Sequence, residues 1–223
     1  MASAELLRTS SFLVAFARRQ AARVVELPGG FAVLDDAFRH SRAGNQVFLD
    51  GAAAPEAVPA LADEALAGLP HRLVSVLDDE AGSACAGAMA RAGYRHTTLL
   101  VMTHRGPVPA GGAARETELD ALRGPLGRRW RGFLPGVEEQ VVRQLVDRRA
   151  ARRRGAPVVR FLAARTAEGE VASWADLSLD PVDGTAQIED LMTSGEHLGR
   201  GYGRRSSPPR CVRPRVTAVA CGS

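Results

Sequence analysis

The stretch AQIEDLMTSGEHLGRGYG, residues 186–203, carries an apolar run of strand character straight into a glycine-rich turn. Gly199, Gly201 and Gly203 free the backbone to turn sharply. A helix starting after them would aim unpaired N–H groups and a positive dipole end at an anion, which is the chemistry of a diphosphate cradle. An ordinary strand-to-turn junction can also hold three glycines, so the turn gains meaning only from its surroundings. Two other phosphate loops are excluded by composition and spacing. The chain contains no lysine, which the GxxxxGK[ST] loop requires, and Arg204 stands where GxGxxG needs its third glycine.

The chain has 223 residues and is 45% hydrophobic, enough for one large domain or two small ones with real cores. No apolar run approaches a membrane span, and the N-terminus lacks the pattern of a cleaved leader. A soluble, cytoplasmic protein that does not engage a membrane is expected. Cys85, Cys211 and Cys221 show no CxxC spacing and no matching histidines, so unpaired thiols are expected and no metal site. All 29 basic residues are arginine, pointing to a GC-rich coding sequence. Residues 1–203 hold 24 arginines against 25 acids, a net of −1, whereas 204–223 hold five arginines and no acid. The formal +4 therefore belongs to the tail and says little about nucleic-acid binding by the body.

In order, the spacing predicts a helix over 4–20 with Leu6, Leu7, Phe12, Leu13 and Phe16 on one face, then short strands over 22–27, 31–34 and 46–50. A helix over 55–67 follows, then strand 71–77, helix 80–92, Gly93 as its stop and strand 94–104. Asp78, Asp79 and Glu80 read as a loop and helix-N-terminal charge cluster rather than a metal site. GPVPAGGAA, residues 106–114, is small, uncharged and rich in Pro and Gly, and marks the linker. Beyond it come a strand at 115–119 and helices over 120–130 and 137–153. The second helix ends in the arginine run 148–154, read as a solvated face, with contact to a coenzyme 3′-phosphate or to nucleic acid as alternatives. Strands 158–165, 170–179 and 186–193 are joined by the hairpin-style turns TAEG and DPVDGT.

The resulting order from residue 115, β-α-α-β-β-β and then a glycine turn, resembles the opening of a GNAT N-acetyltransferase domain. The segment 198–203 is similar to that family's acetyl-coenzyme A loop, R/Q-x-x-G-x-G/A. It matches at Gly201 and Gly203 and departs at Leu198, where the family has Arg or Gln. VVRQLVDRRA, FLAARTAEGEVASWADLSLDP and AQIEDLMTSGEHLGRGYG are worded like actinobacterial-type members, and the resemblance spans roughly residues 70–203. The strand-helix-strand ending in AGY looks like the back half of a further GNAT domain. The implied fold class is α/β (α+β): a GNAT-like α/β module over 1–105, the linker 106–114, the N-terminal half of a mixed-sheet acetyltransferase domain with flanking helices over 115–203, and an irregular Arg/Pro-rich tail over 204–223.

The resemblance further implies that Leu191, Met192 and Thr193 offer backbone groups to the pantetheine arm of acetyl-CoA. Gly199, Arg200, Gly201, Tyr202 and Gly203 would present N–H groups to its diphosphate, and Leu198, also counted in the coenzyme-binding loop, would weaken the side-chain contact and leave the backbone as the anchor. Glu189 and Asp190 occupy the place of the Glu-Asp pair of spermidine/spermine-type acetyltransferases, which makes Glu189 the candidate base, through water, and Asp190 the second; a solvated acid near a strand end is the alternative. Adjacent strand residues point to opposite faces, so at most one of the two is expected to face a substrate directly. The implied partner is a small-molecule or peptide amine, and a homodimer is compatible with the resemblance.

The family pattern stops at Gly203. A helix, a strand, a helix with a tyrosine acid and a closing hairpin should follow, yet Pro208, Pro209 and Pro214 fall where the first helix should run. Re-read one base earlier with GC-rich codons, 206–212 become (V/L)(V/L)(A/P)(A/P)(A/P)(V/L)R, an alanine-rich helix former if alanine is chosen. The tail is therefore expected to be out of frame, a native short tail being the alternative. Three readings stand at this point: an acetyltransferase by descent with an incomplete domain, a non-catalytic coenzyme- or protein-binding module, and nucleic-acid association through the tail.

Overall fold

The computed structural model describes residues 4–104, 113–203 and, as strand backbone, 217–222. The chain divides into two units, Met1–Thr103 with Val212–Ser223, and His104–Cys211. Most of the expected linker and residues 204–216 lie outside the described residues.

The first unit opens with α1 (Ala4–Gln20), which has Glu5 in its first turn and Arg18 and Arg19 in its last, charges that oppose the helix dipole. Strands β1 (Arg23–Leu27), β2 (Gly30–Leu34) and β3 (Gln46–Leu49) follow, then α2 (Val58–Ala65), β4 (Leu73–Val76), α3 (Asp79–Arg91) and β5 (Arg95–Leu100). Side-chain alternation divides β2 between two layers. Phe31 and Val33 pack with Ala17, whereas Ala32 and Leu34 join Val58, Ala62 and Met89. Asp78 accepts a hydrogen bond from the Ala81 N–H at 2.8 Å and caps α3. Cys85 is a buried free thiol in this core.

The last strand of this sheet comes from the far end of the chain. Residues 217–222, expected within an irregular tail, form a strand that pairs antiparallel with both β4 and β5 and completes the order β1-β2-β3-β4-last-β5. TAVACG carries no charge and no proline, so nothing in it opposes an interior strand.

In the second unit, β6 (Arg115–Thr117), α4 (Leu119–Phe133), α5 (Glu139–Asp147), β7 (Val158–Arg165), β8 (Val171–Asp180) and β9 (Thr185–Thr193) form a four-stranded antiparallel sheet with two helices. Leu119, Leu122, Leu126, Val142 and Val146 from the helices meet Phe161, Ala163 and Trp174 from the sheet. The mixed α and β class with flanking helices matches the expectation. One helix ends early: α5 stops at Asp147, and Arg148–Arg154 continue as a 3-10 run. Together with the C-terminal strand, now called β10 (Thr217–Gly222), the molecule has ten strands among the described residues. No described helix is long and apolar enough to cross a membrane.

Candidate functional site

β9 is an edge of its sheet, and its pairing with β8 slips in the middle. Trp174 faces Met192 and Asp176 faces Glu189, so Asp190 and Leu191 together stand opposite Ala175. This is a β-bulge, and Asp190 takes a φ of 50° within it. Left-handed backbone is uncommon outside glycine, though Asp tolerates it better than most residues. The bulge overturns the expectation that Glu189 and Asp190 point apart. Arg152 reaches both, through Nη1 to Glu189 Oε2 at 2.8 Å and Nη2 to Asp190 Oδ2 at 3.2 Å.

The arginine run supplies the other half of this arrangement. In a 3-10 helix residues i and i+3 eclipse, so Arg149 and Arg152 project from the same side. Both are buried rather than solvated, which corrects the reading of the run as a solvent face at these two positions, while Arg153 and Arg154 are exposed. Arg149 Nη2 lies 2.7 Å and Arg152 Nη1 3.0 Å from Asp176, a fully enclosed carboxylate on the central strand. The physical reason is charge compensation: an acid enclosed on β8 beside the bulge is tolerable only with cations brought against it. Burial pushes the Asp190 carboxyl up, but Arg152, Arg149 and Arg148 outweigh that and hold it below the usual carboxylate range. Glu189 is the more open of the two acids, its side chain 41% exposed against 26% for Asp190.

At the end of β9, Gly195–His197 form a 3-10 turn, and Tyr202 and Gly203 begin a helical turn at the limit of the described residues. An open pocket of about 450 Å³ lies here, lined by Thr193, His197, Leu198, Gly199, Gly201, Tyr202 and Gly203. Gly199 and Gly201 have φ of 74° and 79°, which only glycine adopts without strain. Their N–H groups have no acceptor among the described residues. Arg200 N–H, in contrast, turns back to the His197 carbonyl at 3.4 Å, so it differs from the expected free donor.

The structure thus brings Thr193, Leu198, Gly199, Gly201, Tyr202 and Gly203 to one pocket and leaves Glu189, Asp190 and Leu191 around the bulge. Met192 packs inward against the helix core, leaving only its backbone for any contact. His197 was not singled out from the sequence. Its side chain is 9% exposed and its ring meets Tyr202 edge-on, with centroids 5.6 Å apart. Nε2 is 3.8 Å from Glu170 Oε2, and Nδ1 has no partner among the described residues. An enclosed imidazole nitrogen without a partner is a group that a polar ligand can satisfy. Asp176 was missed as well, although an acid inside the apolar run VASWADLSL was a visible signal.

No protein-family model matches the chain, and no curated protein does. A solved structure described as a functionally unknown conserved protein from Staphylococcus epidermidis ATCC 12228 is similar to the chain, with a TM-score of 0.54 and 10% identity over 92% of this chain and 93% of that one. At that identity the likeness speaks to the fold alone.

Proposed function

We propose that the His104–Cys211 unit is the coenzyme-binding half of a GNAT-type N-acetyltransferase domain, moving the acetyl group of acetyl-coenzyme A to an amine. The observation that carries this reading is the pocket at the end of β9, lined by Gly199 and Gly201, whose N–H groups are unpaired among the described residues, and by the enclosed His197. Such groups suit a diphosphate. Leu198 contributes apolar surface where the family has Arg or Gln, so the backbone and His197 carry the polar contacts. The co-substrate supplies an activated acyl group; the protein's part is to hold it and to take a proton from the amine. Glu189, the more exposed acid beside the bulge, is the proton acceptor, and Asp190, held by Arg148, Arg149 and Arg152, keeps the bulge in place.

Calorimetry with coenzyme A and thiol release from acetyl-coenzyme A across a panel of amines test this directly. Binding is expected, and it should be lost in Gly201→Pro, which removes a donor and fixes φ at a negative value, while Leu198→Ala leaves it nearly unchanged. Equal affinity of wild type and Gly201→Pro would remove the cradle. A second reading, a coenzyme-binding module without chemistry, is favoured by the Glu189–Arg152 ion pair, which already occupies one carboxylate oxygen. Coenzyme binding with no thiol release for any amine would select it.

A further inference from the structure

The charges around the β9 bulge are unevenly matched. On the enclosed side, Asp176 has Arg149 and Arg152 within 3.0 Å. On the outer side, Arg148 has an 18% exposed side chain and comes no closer than 3.9 Å to Asp190, with no hydrogen bond among the described residues. Burial, and the like charge of Arg152 beside it, disfavour its charged form. Arg152 Nε is also enclosed without an acceptor. Arg129 adds a fourth positive charge felt at Asp190. Asp176, Glu189 and Asp190 thus face Arg148, Arg149 and Arg152, with Arg129 adding charge from farther off; of the three near guanidinium groups Arg148 is the least satisfied, and its charge is felt by Glu189, the most exposed of the acids.

We infer that this rim binds a carboxylate, and that the acceptor is an amine bearing a carboxylate, of the amino-acid class, rather than a polyamine. The inference rests on the acetyltransferase reading for the word acceptor, but the anion site itself does not. A carboxylate fits the planar fork of a guanidinium with two parallel hydrogen bonds, and Arg148, with only the long 3.9 Å ion pair to Asp190, makes no hydrogen bond among the described residues. The ammonium group of the same molecule would then lie toward Glu189. A polycation meets the opposite situation: its second and third charges would be placed beside Arg148, whose nearest carboxylate is 3.9 Å away.

The test is calorimetric titration of the intact chain with L-glutamate and, separately, with spermidine, each with and without coenzyme A. Glutamate is expected to bind more tightly than spermidine, and Arg148→Gln should weaken it at least about tenfold, the effect of losing a charge-assisted hydrogen bond. Coenzyme A affinity should be the same in both proteins, and Arg91→Gln, at the exposed Glu56 pair in the other unit, should change nothing. Tighter binding of spermidine, no binding of glutamate to wild type, or glutamate binding indifferent to Arg148→Gln would each overturn the inference. If Arg148→Gln fails to fold, the wild-type preference between the two probes decides alone. Glutamate binding without any coenzyme A binding would keep the anion site and remove the acetyltransferase reading.

Discussion

Glu189 and Asp190 are adjacent in the chain, yet the bulge turns both toward Arg152 and leaves them unequally exposed. If Glu189 accepts the proton, Glu189→Gln lowers turnover about 10²-fold at neutral pH and recovers part of it at high pH, where the amine loses its proton unaided. A pH–rate profile identical to wild type would move the role elsewhere. Asp190 has a structural consequence that can be measured without any substrate. Its folded carboxyl titrates below the usual range, so its contribution to stability is complete above the unfolded value of about 3.9 and is lost as the pH falls through the folded value. Asn tolerates the left-handed backbone, so Asp190→Asn removes the charge while keeping the bulge. Its urea midpoint should lie below that of wild type at pH 7, and the gap should close under acid. A constant gap from pH 7 down to pH 2 would mean that the charge does not hold the bulge. None of this was visible in IEDLMT alone, because a bulge is a property of the pairing with β8 and not of one strand.

At the level of elements, the hairpins of the second unit were legible because β7, β8 and β9 alternate or bury apolar residues between turns rich in Gly, Asp and Pro. The glycine turn was legible for the same kind of reason: Gly199 and Gly201 are needed where φ is positive. The 3-10 run was not, since seven residues of Arg and Ala fit either helix, and only the enclosed Asp176 decides which side is buried. β10 was missed because six small, neutral residues following a Pro- and Arg-rich segment give no periodic signal. As an interior strand it has ladders on both sides, with Val219 opposite Val76 on β4 and Thr98 on β5. Deleting 217–222 should therefore speed amide exchange in Leu73–Val76 and Arg95–Leu100 while leaving Val171–Asp180 protected. Unchanged exchange in β4 would mean that this strand holds without the C-terminal segment.

Across the molecule, each unit has its own core, and the probes for them are separable. Both tryptophans, Trp130 and Trp174, lie in the His104–Cys211 unit, so their fluorescence follows that core, whereas far-ultraviolet dichroism follows both units. The first unit contains a group that makes it sensitive to mild acid. His71 is buried, and its Nε2 donates to the Asn45 carbonyl at 3.1 Å. Burial lowers its basicity, Arg42, Arg72 and His40 lower it further, and the Asn45 carbonyl opposes them only in part. The folded imidazole therefore stays neutral where an unfolded one, at about 6.5, begins to take a proton. Because the unfolded chain binds that proton first, stability falls as the pH drops below about 6.5 and stops falling once the folded value is passed. Denaturation at pH 7.5 and pH 5.5 should show the dichroism midpoint moving down while the tryptophan midpoint moves less. His71→Gln, which retains a donor for the Asn45 carbonyl, should flatten the dichroism response. Equal pH sensitivity in wild type and His71→Gln would exclude the histidine as its source, and equal movement of both probes would mean that the two cores melt as one.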